Sequence, residues 1–581
     1  MQFVNMEESR IIHNLVISTK EKSPLVARQR LEIHFMEFLA RISPYVEMTK
    51  NAREQKNTTM KNILIILCFI TGLNTAFAND GWLNILNEGG NNKGIKCTQA
   101  IQNAIEKASK NGGGTIFFPA GQYLTGALTL RSNITIHLDS GALLKFSENF
   151  DDFLPYVEMR YEGIVMKSFQ PLFYAKDVEN ITITGRGVID GQGKAWWNEV
   201  YRIETAKEPL PPTKYQTMWE EQNKGLYTEP YYKRTVDKKF FRPSFFQAYN
   251  CKNILIEGVT FQNSPFWTIN PEFCDNVTVT GISIFNPHSP NTDGINPSSC
   301  TNVHISNCHI SVGDDCITIK SGRDGDGRKY GKATENVTIT NCTMLSGHGG
   351  VVIGSEMSGG IKKITISNCV FDGTDRGIRI KAARGRGGVV EDIRVDNIVM
   401  KNIKEEAIVL SLFYDKGTQV EPVTEKTPIF RNIHMSNITA SNVNKAGQIL
   451  GITEMPIQNI TFSNINMDGK EGFTVSTATD VEFHDVKVNA SVGSSFKISD
   501  SKNVILDNVG SSTAIKGVPV IKLDNVSNVL INNNFPFNPT DIFIEADGKD
   551  TKNIFLKNNV LNNVTTKIKK GASLYKKAIT E

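Results

Sequence analysis

Hydrophobic and polar residues alternate in short segments along most of the chain, and one short unit recurs many times. The unit reads Asn-h-x-h-x-Asn/Gly-h-x-h, where h is hydrophobic, and several neighbouring units begin 21 to 29 residues apart. Its first position is occupied by Asn133, Asn180, Asn253, Asn276, Asn302, Asn336, Lys363, Asp392, Asn432, Asn459, Asp480, Asn503, Asn528 and Asn553. A period in this range, with β-branched strands and no crossover helices, is typical of a stacked solenoid. The pattern therefore predicts an all-β parallel β-helix.

The alternation also indicates which side chains face the core. Residues 277–280 read Val-Thr-Val-Thr, and residues 337–340 read Val-Thr-Ile-Thr. Because successive side chains of a strand point to opposite faces, Val and Ile are predicted inside and Thr outside. Asn at the turns tolerates a left-handed backbone and can bond to its equivalent in the next coil. The Asn-x-Thr triplets follow from this repeat, so they are discounted as glycosylation signals.

A single helix is predicted ahead of the repeats. Residues 98–111 carry apolar residues at helical spacing, with Thr98 as the expected N-cap and three glycines from Gly112 as the stop. An amphipathic helix in this place can cover the open apolar end of a solenoid, which needs a cap to stay soluble.

Three longer intervals predict loops that leave the solenoid, after Asn180, Asn302 and Asp392. The first is the largest and is rich in aromatic residues, namely Trp196, Trp197, Tyr201, Tyr215, Trp219, Tyr227, Tyr231, Tyr232, Phe240 and Phe241. These rings could form walls on which sugar rings stack, or they could pack the loop onto its own coil. The sequence leaves both interpretations open.

The cysteines favour buried thiols over disulfides. Cys251, Cys274 and Cys300 each precede a repeat Asn by two residues, whereas Cys308, Cys342 and Cys369 each follow an Asn. Equivalent places in successive repeats indicate two stacked columns of small buried side chains, and free Cys is often fully buried. Cys97 and Cys316 are assigned to neither column.

The region before residue 79 reads as an export signal. Met60-Lys61-Asn62 is followed by an apolar run over residues 63–70 and by Ala-Phe-Ala at 76–78, which is the pattern of a secretory signal peptide. We therefore expect a signal over 60–78, a β-helix domain over 79–581, and an upstream segment, 1–59, that is not part of the native protein. A membrane anchor is the alternative, but the apolar run is short for a span.

Composition adds little about partners. The 581 residues are 40% hydrophobic and 21% charged, with a net charge of +4. No basic stripe interleaved with aromatic residues is present, so nucleic acid is not an expected partner. Binding of a polyanion would have to be local to one site.

Four short polar islands interrupt the β segments between residues 291 and 381. They are Asn-Thr-Asp at 291–293, Gly-Asp-Asp at 313–315, Gly-His-Gly at 347–349 and Arg-Ile-Lys at 379–381. The first two lie one repeat apart, and loops lengthen the later intervals. Neighbouring strands of a parallel stack are about 4.8 Å apart, so matching positions in consecutive coils become neighbours. The predicted column comprises Asp293, Asp314, Asp315, His348, Arg379 and Lys381.

These are the groups that acid–base cleavage of a glycosidic bond in an acidic sugar polymer requires. Crowded carboxylates raise the proton affinity of at least one of them, which provides an acid and a base. The adjacent Asp314 and Asp315 cannot both face a groove from a regular strand, so Gly313 is predicted to mark a turn or bulge. Each island alone fits an ordinary turn or a solvated strand. The hypothesis of a catalytic site rests on the occurrence of all four islands in order, one in each coil.

The islands lie in longer runs that resemble glycoside hydrolase family 28, the polygalacturonases. These runs are Ser-Pro-Asn-Thr-Asp-Gly at 289–294, Gly-Asp-Asp-Cys-Ile at 313–317, Gly-His-Gly-Gly at 347–350 and Arg-Gly-Ile-Arg-Ile-Lys at 376–381. The likeness covers most of the chain and weakens beyond about Asn459. It implies a single-stranded right-handed parallel β-helix with an N-terminal capping helix and loop insertions. It also implies hydrolysis of α-1,4 galacturonic linkages with inversion, without a metal or other cofactor.

By position, the resemblance implies catalytic roles for part of the column. Asp314 would be the general acid, and Asp293 with Asp315 would activate water, while His348 would tune that network. One departure is Asn296, where many bacterial relatives carry an acidic residue. This change affects the floor of the groove and leaves the named acids in place.

The resemblance further implies that Arg379 and Lys381 bind the galacturonate carboxylate. Asn291 and Arg323 complete the predicted substrate-binding set. Exo action is favoured over endo action, because the aromatic insertion could close one end of the groove. The segment Arg-Tyr-Glu-Gly at 160–163 also resembles bacterial relatives that trim chain ends.

Several alternatives remain at this point. The substrate could be plain polygalacturonate, a xylose-decorated polymer or a rhamnose-alternating backbone. A calcium-dependent pectate lyase shares the fold but needs a carboxylate cage and a basic proton abstractor, which fits these residues less well. A β-helix adhesin or tailspike would need no clustered acids.

Overall fold

The computed structural model describes residues 81–208, 210–226, 240–414 and 419–580. The predicted upstream segment and signal peptide lie outside the described residues. None of the helices in the described ranges is both long and apolar enough to span a membrane.

Four α-helices and 37 strands make up the described part of the chain. The helices are α1 (Thr98–Lys110), α2 (Lys194–Glu204), α3 (Lys214–Gln222) and α4 (Asp324–Tyr330). The strands before the second half of the chain are β1 (Trp82–Asn84), β2 (Lys93–Lys96), β3 (Gly114–Phe118), β4 (Gly121–Thr125), β5 (Leu128–Thr129), β6 (Ile134–Leu138), β7 (Ala142–Phe146), β8 (Val157–Tyr161), β9 (Ile164–Ser168), β10 (Phe173–Lys176), β11 (Glu179–Gly185), β12 (Val188–Asp190), β13 (Phe246–Tyr249), β14 (Lys252–Glu257), β15 (Thr260–Gln262), β16 (Asp275–Thr280) and β17 (Ser283–Phe285).

The remaining strands continue the same stack. They are β18 (Thr301–Ser306), β19 (His309–Ser311), β20 (Asp315–Ile319), β21 (Thr334–Thr340), β22 (Thr343–Ser346), β23 (Gly349–Gly354), β24 (Ile361–Asp372), β25 (Ile378–Lys381), β26 (Val389–Lys401), β27 (Glu406–Ser411), β28 (Ile429–Leu450), β29 (Ile457–Ser476), β30 (Ala478–Ser499), β31 (Lys502–Asp507), β32 (Pro519–Asp524), β33 (Ser527–Asn532), β34 (Thr540–Asp547), β35 (Lys552–Lys557), β36 (Val564–Lys570) and β37 (Ile579–Thr580).

Each strand of the stack pairs in parallel with its equivalent one coil later. Ile254 of β14 pairs with Val277 of β16, which pairs with Val303 of β18 and then with Val337 of β21. All four side chains are buried, and the interleaved threonines point outward. The hairpin of β8 and β9 is antiparallel. The predicted parallel β-helix and its inward and outward faces are confirmed.

The repeat asparagines form the predicted ladders at the turns. Asn253 and Asn276 have φ angles of 56° and 57°, in the left-handed region. The side-chain amide of Asn276 donates to Asn253 at 2.9 Å, and that of Asn253 donates to Asn180 at 2.8 Å. Asn adopts this backbone at lower cost than most residues, and each bond ties one coil to the next.

Helix α1 covers the first coils, as predicted. Its buried face comprises Ile101, Ala104, Ile105 and Ala108. The expected N-cap was wrong: Cys97 occupies that position, and the Thr98 hydroxyl instead accepts a hydrogen bond from the Gly126 amide at 2.6 Å. Strands β1 and β2 already pair with β3 and β4, so the stack begins before the helix.

The described aromatic residues of the large insertion mostly pack the loop onto its own coil. Trp196 is fully buried, with its ring centroid 4.3 Å from Phe150 and 5.0 Å from Phe169. Trp219 stacks on Phe241 at 4.4 Å. For these rings the packing alternative holds rather than a sugar-stacking wall. Three predicted wall residues, Tyr227, Tyr231 and Tyr232, lie outside the described residues.

The cysteines are free and buried, as predicted. Within the described ranges, eight buried thiols are present and none is in a disulfide. Cys274 lies between Cys251 and Cys300 in one column, and Cys342 lies between Cys308 and Cys369 in the other. The small thiols fill matching core positions in consecutive coils.

Candidate active site

The polar islands lie on consecutive coils, in one region of the surface. Ile295 pairs with Ile317 of β20, which pairs with Val351 of β23 and then with Ile378 of β25. These aliphatic side chains face the core, so the residues beside them face out. Arg379 and Lys381 alternate with the buried Ile378 and Ile380, and the contacts of both cations with Asp315 place them beside the acidic islands.

Asp314 lies in the turn before β20 and is the most accessible of the three carboxylates. Its side chain is 17% exposed, against 2% for Asp315 and 3% for Asp293. One oxygen lies 3.1 Å from Nδ1 of His348, and the other accepts a hydrogen bond from the Asn291 amide at 3.3 Å. The contacts with His348 and Asn291 hold this carboxyl while part of it stays exposed to solvent.

Glycine allows the tight turn that presents Asp314. A Cβ on Gly313 would lie 1.8 Å from the Ser289 carbonyl oxygen, and one on Gly347 would lie 2.5 Å from the Asp314 carbonyl oxygen. Neither distance is compatible with a side chain, so both positions require glycine. The chain bends at Gly313 and Asp314, where a turn or bulge was predicted, and strand β20 begins at Asp315.

Asp315 lies directly below the predicted cation pair. It receives a hydrogen bond from Nζ of Lys381 at 2.8 Å, and Arg379 approaches its other oxygen at 3.9 Å. Both cations also lie near the ring of Tyr414, at 5.5 Å for the Arg379 guanidinium and 5.1 Å for the Lys381 ammonium. The contact between acids and cations that the column predicts is therefore present.

Asp293 is enclosed beneath this layer. Its Oδ2 accepts a hydrogen bond from the Asn296 amide at 3.0 Å and lies 3.5 Å from the Thr318 hydroxyl. Nζ of Lys320 is 3.7 Å from the same oxygen. Asn296, noted as a departure from bacterial relatives, is thus a direct partner of this carboxylate.

The pKa values of Asp293 and Asp314 are shifted in opposite directions. Burial and the neighbouring charge of Asp314 raise the pKa of Asp293 well above its ordinary value, although Lys320 opposes them. Burial also acts to raise the pKa of Asp314, but the hydrogen bond and charge of His348, with Lys381 and Lys320, outweigh it and lower the pKa to about 2. The bond to Asp314 raises the pKa of His348 in return. In the free site the pKa of Asp293 therefore lies above that of Asp314, whereas the predicted general-acid role requires the proton on Asp314.

A buried charge network that sequence reasoning missed supports Asp293. Lys320 donates to Glu356 at 2.9 Å, and its ammonium lies 4.5 Å from the centroid of the Trp267 ring. Burial opposes both charges, but the Glu356 carboxylate raises the pKa of Lys320 and the Lys320 ammonium lowers the pKa of Glu356. Lys320 directly follows β20, where the sequence carries no motif, and its partner Glu356 comes from a loop that also lacks one.

Arg323 lies apart from the other predicted residues. Its side chain is 5% exposed, and its guanidinium is 3.1 Å from Glu162 and 3.6 Å from Asp324. The contact joins the start of α4 to the β8–β9 hairpin. No hydrogen bond or ion pair within the described ranges links Arg323 directly to the three carboxylates.

Residues at the site that could hold a metal ion are not evident. Within residues 81–208, 210–226, 240–414 and 419–580, no group of three or more His, Cys, Asp or Glu side chains is arranged to bind one. The site is therefore described by its carboxylates, cations and hydrogen-bond donors.

Comparison with known proteins identifies the family. A family model described as Glycosyl hydrolases family 28 matches residues 227–481. A Vitis vinifera protein named "Probable polygalacturonase" is 33% identical over 398 residues, which cover 66% of this chain and 74% of the relative. The chain belongs to glycoside hydrolase family 28. It is therefore a glycosidase.

Two further proteins are similar to this chain over most of their length. The Dickeya chrysanthemi protein named "Exo-poly-alpha-D-galacturonosidase" is 28% identical over 71% of each chain. The crystal structure of an exopolygalacturonase from Thermotoga maritima is 35% identical, with a TM-score of 0.63, and the match covers 70% of this chain and 91% of that one. The resemblance read from the four islands is confirmed.

Proposed function

We propose that the protein hydrolyses α-1,4 linkages of galacturonic acid in pectic polysaccharides, releasing units from a chain end with inversion. The observation that supports this best is the contact between the carboxylate cluster and the Arg379–Lys381 pair across consecutive coils. A galacturonate polymer carries one carboxylate per sugar, and an Arg fork beside a Lys charge is suited to bind it. The names of the Dickeya and Thermotoga relatives support exo action.

Asp314 is the proposed general acid, because it is the accessible carboxyl. A glycosidic oxygen can reach it, whereas Asp293 and Asp315 are nearly closed to solvent. A bound galacturonate excludes water and adds negative charge, and both effects raise the pKa of a nearby carboxyl. Substrate binding would thus shift proton affinity toward Asp314, with His348 as its partner.

Asp293 and Asp315 are the proposed pair that activates water on the opposite face of the sugar ring. In an inverting glycosidase, one carboxyl protonates the leaving oxygen while another accepts a proton from water. The hydrogen bond from Lys381 at 2.8 Å holds Asp315 in place beside the cation pair. Arg379 and Lys381 hold the sugar carboxylate, and the Tyr414 ring lies against both cations.

The closed end required for exo action is assigned to the β8–β9 hairpin. Arg160 is buried and pairs with Glu272 at 3.1 Å, while Glu162 pairs with Arg323 at 3.1 Å. Two ion pairs thus fix the hairpin against the coils and against α4. In this proposal Arg323 shapes the end of the groove through Glu162.

Product analysis tests the proposal. The purified protein is incubated with polygalacturonate, and early products are sized while solution viscosity is followed, with Asp314→Asn as the inactive control. Exo action gives mainly one short product and a slow fall in viscosity. A ladder of oligomers with little monomer early would overturn the exo assignment.

The same assay decides the substrate and reaction class. Defined oligosaccharides of plain galacturonate, xylose-decorated galacturonate and rhamnose-alternating backbone are compared for rate. Absorbance from an unsaturated product that chelator abolishes would indicate a lyase and refute hydrolysis. Preference for either of the other two polymers would refute plain polygalacturonate as the substrate.

We also propose that residues 60–78 direct export and that the mature chain begins near Asn79, as the charged, apolar and small-residue order suggests. The pectic polymer would then be met outside the cytoplasm. N-terminal sequencing of protein recovered from the native host tests this. A mature chain that contains Gln2 or Gln55 would refute it.

A further inference from the structure

Arg242 is a buried cation that the proposed mechanism does not use. It follows the large insertion and lies four residues before β13 begins, with a side chain that is nearly closed to solvent. One terminal nitrogen donates to the carbonyl oxygens of Pro265 at 2.9 Å and Pro290 at 2.6 Å. The other donates to Oδ1 of Asn291 at 2.8 Å, and the guanidinium lies 5.0 Å from the centroid of the Phe266 ring.

The setting of Arg242 is unusual for a buried charge. Within the described ranges, no carboxylate lies within ion-pair distance of it, and its acceptors are two backbone carbonyls and one side-chain amide. Burial lowers the pKa of the guanidinium, because removal from water disfavours its charged form. A neutral side chain could fill the same space with a smaller desolvation penalty. The presence of a charged, forked side chain here therefore suggests a specific role.

Asn291 supplies that reason. A side-chain amide can present either its oxygen or its nitrogen to a neighbour, and a guanidinium, which only donates, accepts only the oxygen. With Oδ1 held by Arg242, Nδ2 faces Oδ2 of Asp314 at 3.3 Å. The opposite orientation would place two oxygens together beside Asp314 and two donors beside Arg242.

Asp314 is therefore fixed through both of its oxygens. Oδ1 accepts from the backbone amide of Asp315 at 2.9 Å and contacts His348, while Oδ2 accepts from Asn291. These contacts fix the plane of the carboxyl. A general acid needs such a fixed orientation in order to donate its proton to one particular oxygen of the substrate.

We propose that Arg242 is a positioning residue that sets the orientation of the Asn291 amide and, through it, the direction of the Asp314 carboxyl. The inference rests on the proposed role of Asp314 as general acid. Arg242 lies where the chain re-enters the β-helix after the large insertion. It is 49 positions before Asn291, which is in turn 23 positions before Asp314.

A double-mutant cycle tests the link. Arg242→Met, Asn291→Ala and the double variant are compared with the unchanged enzyme on a defined oligogalacturonide. Each single variant is expected to lose about 10- to 100-fold in kcat with KM within about 3-fold, because orientation of the acid and not binding is impaired. The double variant is expected to match Asn291→Ala within about 2-fold. Losses that multiply would overturn the proposal.

The pH profile gives a second readout that general weakening of the fold would not move. The Asn291 donor stabilises the ionised form of Asp314, so its loss raises the pKa of that group. The limb of kcat on the alkaline side, where the acid loses its proton, is expected to move to higher pH in both single variants. An unmoved limb in Arg242→Met, when Asn291→Ala moves it, would overturn the proposal.

Two controls separate folding and functional failure. Arg242→Lys keeps a cation but cannot span all three acceptors, so it should retain the native fold and lose part of kcat. Arg394→Met removes an Arg that contacts the Asn432 carbonyl and side chain on the outer face, and it should leave kcat unchanged.

If Asp314→Asn keeps near-native turnover, the acid assignment itself fails, whatever the Arg242 variants do.

Discussion

At the residue scale, the carboxylates of one site differ because their surroundings differ. Asp314 lies in a glycine-flanked turn and reaches solvent, whereas Asp293 is enclosed by Asn296, Thr318 and Lys320. The enclosure raises the pKa of Asp293, and the His348 contact lowers that of Asp314. Two residues of the same type thereby gain different proton affinities, and the general-acid role proposed for Asp314 requires that bound substrate reverse their order.

Replacement of Asp314 by Asn should remove most turnover without unfolding the protein. Asn has nearly the same shape but cannot deliver a proton, so kcat should fall about 100- to 10,000-fold. The melting temperature should change little, because Asp314 lies at the surface of the groove. Steady-state kinetics and thermal unfolding on the same preparation check both statements, and a variant with near-native kcat would mean that another group is the acid.

Lys320 should set the acidic limb of the pH profile. Its ammonium lowers the pKa of Asp293. A base must be deprotonated to act, so Lys320→Met should raise that pKa and move the acidic limb of kcat/KM to higher pH. Profiles measured from acid to neutral pH test the direction.

A double variant controls for the buried Glu356 charge that Lys320→Met leaves without a partner. Lys320→Met leaves Glu356 without its 2.9 Å partner, and an unpaired buried carboxylate is destabilising. Lys320→Met with Glu356→Gln removes both charges and should recover stability while keeping the shifted limb. If the double variant regains the original limb as well, Glu356 and not Asp293 is the group that Lys320 controls.

At the element scale, each turn of the stack depends on a residue that accepts a left-handed backbone. Asn276 has φ of 57°, bonds to Asn253 and opens a strand whose valines are buried. The same combination recurs at Asn528, with φ of 57° and a 3.0 Å bond to Asn503. Backbone preference and a side-chain bond thus act at the same position.

Substitutions at Asn276 should separate these two contributions. Asn276→Ala loses the side-chain bond and adds backbone strain, with an expected cost of about 1–3 kcal/mol. Asn276→Gly keeps the backbone accessible and should cost less than Asn276→Ala. Thermal unfolding of the two variants decides this, and equal losses would show that the backbone contribution is negligible.

At the scale of the whole molecule, the stack is held by packing and hydrogen bonds and not by disulfides within the described residues. The eight buried thiols occupy two core columns and isolated positions, as ordinary small side chains would. Reducing agent should therefore leave the melting temperature of the mature protein unchanged. A thiol reagent should label almost no cysteine until denaturant is added; a marked fall in melting temperature on reduction would reveal a disulfide.

The sequence determined by itself the coil, its period and the column of polar islands. This was possible because a solenoid repeats local information, so that matching positions in the chain become neighbours in space. The repeat therefore predicts that Asp293, Asp314, Asp315, His348, Arg379 and Lys381 form one column. The N-cap of α1 was predicted one residue too late, at Thr98 and not at Cys97, because capping depends on one side chain and its local partner.

Only the tertiary structure decided what the insertions do and how the acids differ. Glu356, Tyr414 and Arg242 come from loops without periodicity, so their contacts with Lys320, Lys381 and Asn291 could not be read along the chain. Burial is likewise a property of the assembled coils, and it separates Asp293 from Asp314. The repeat places acids and cations together, whereas non-repeating loops set their charge and direction.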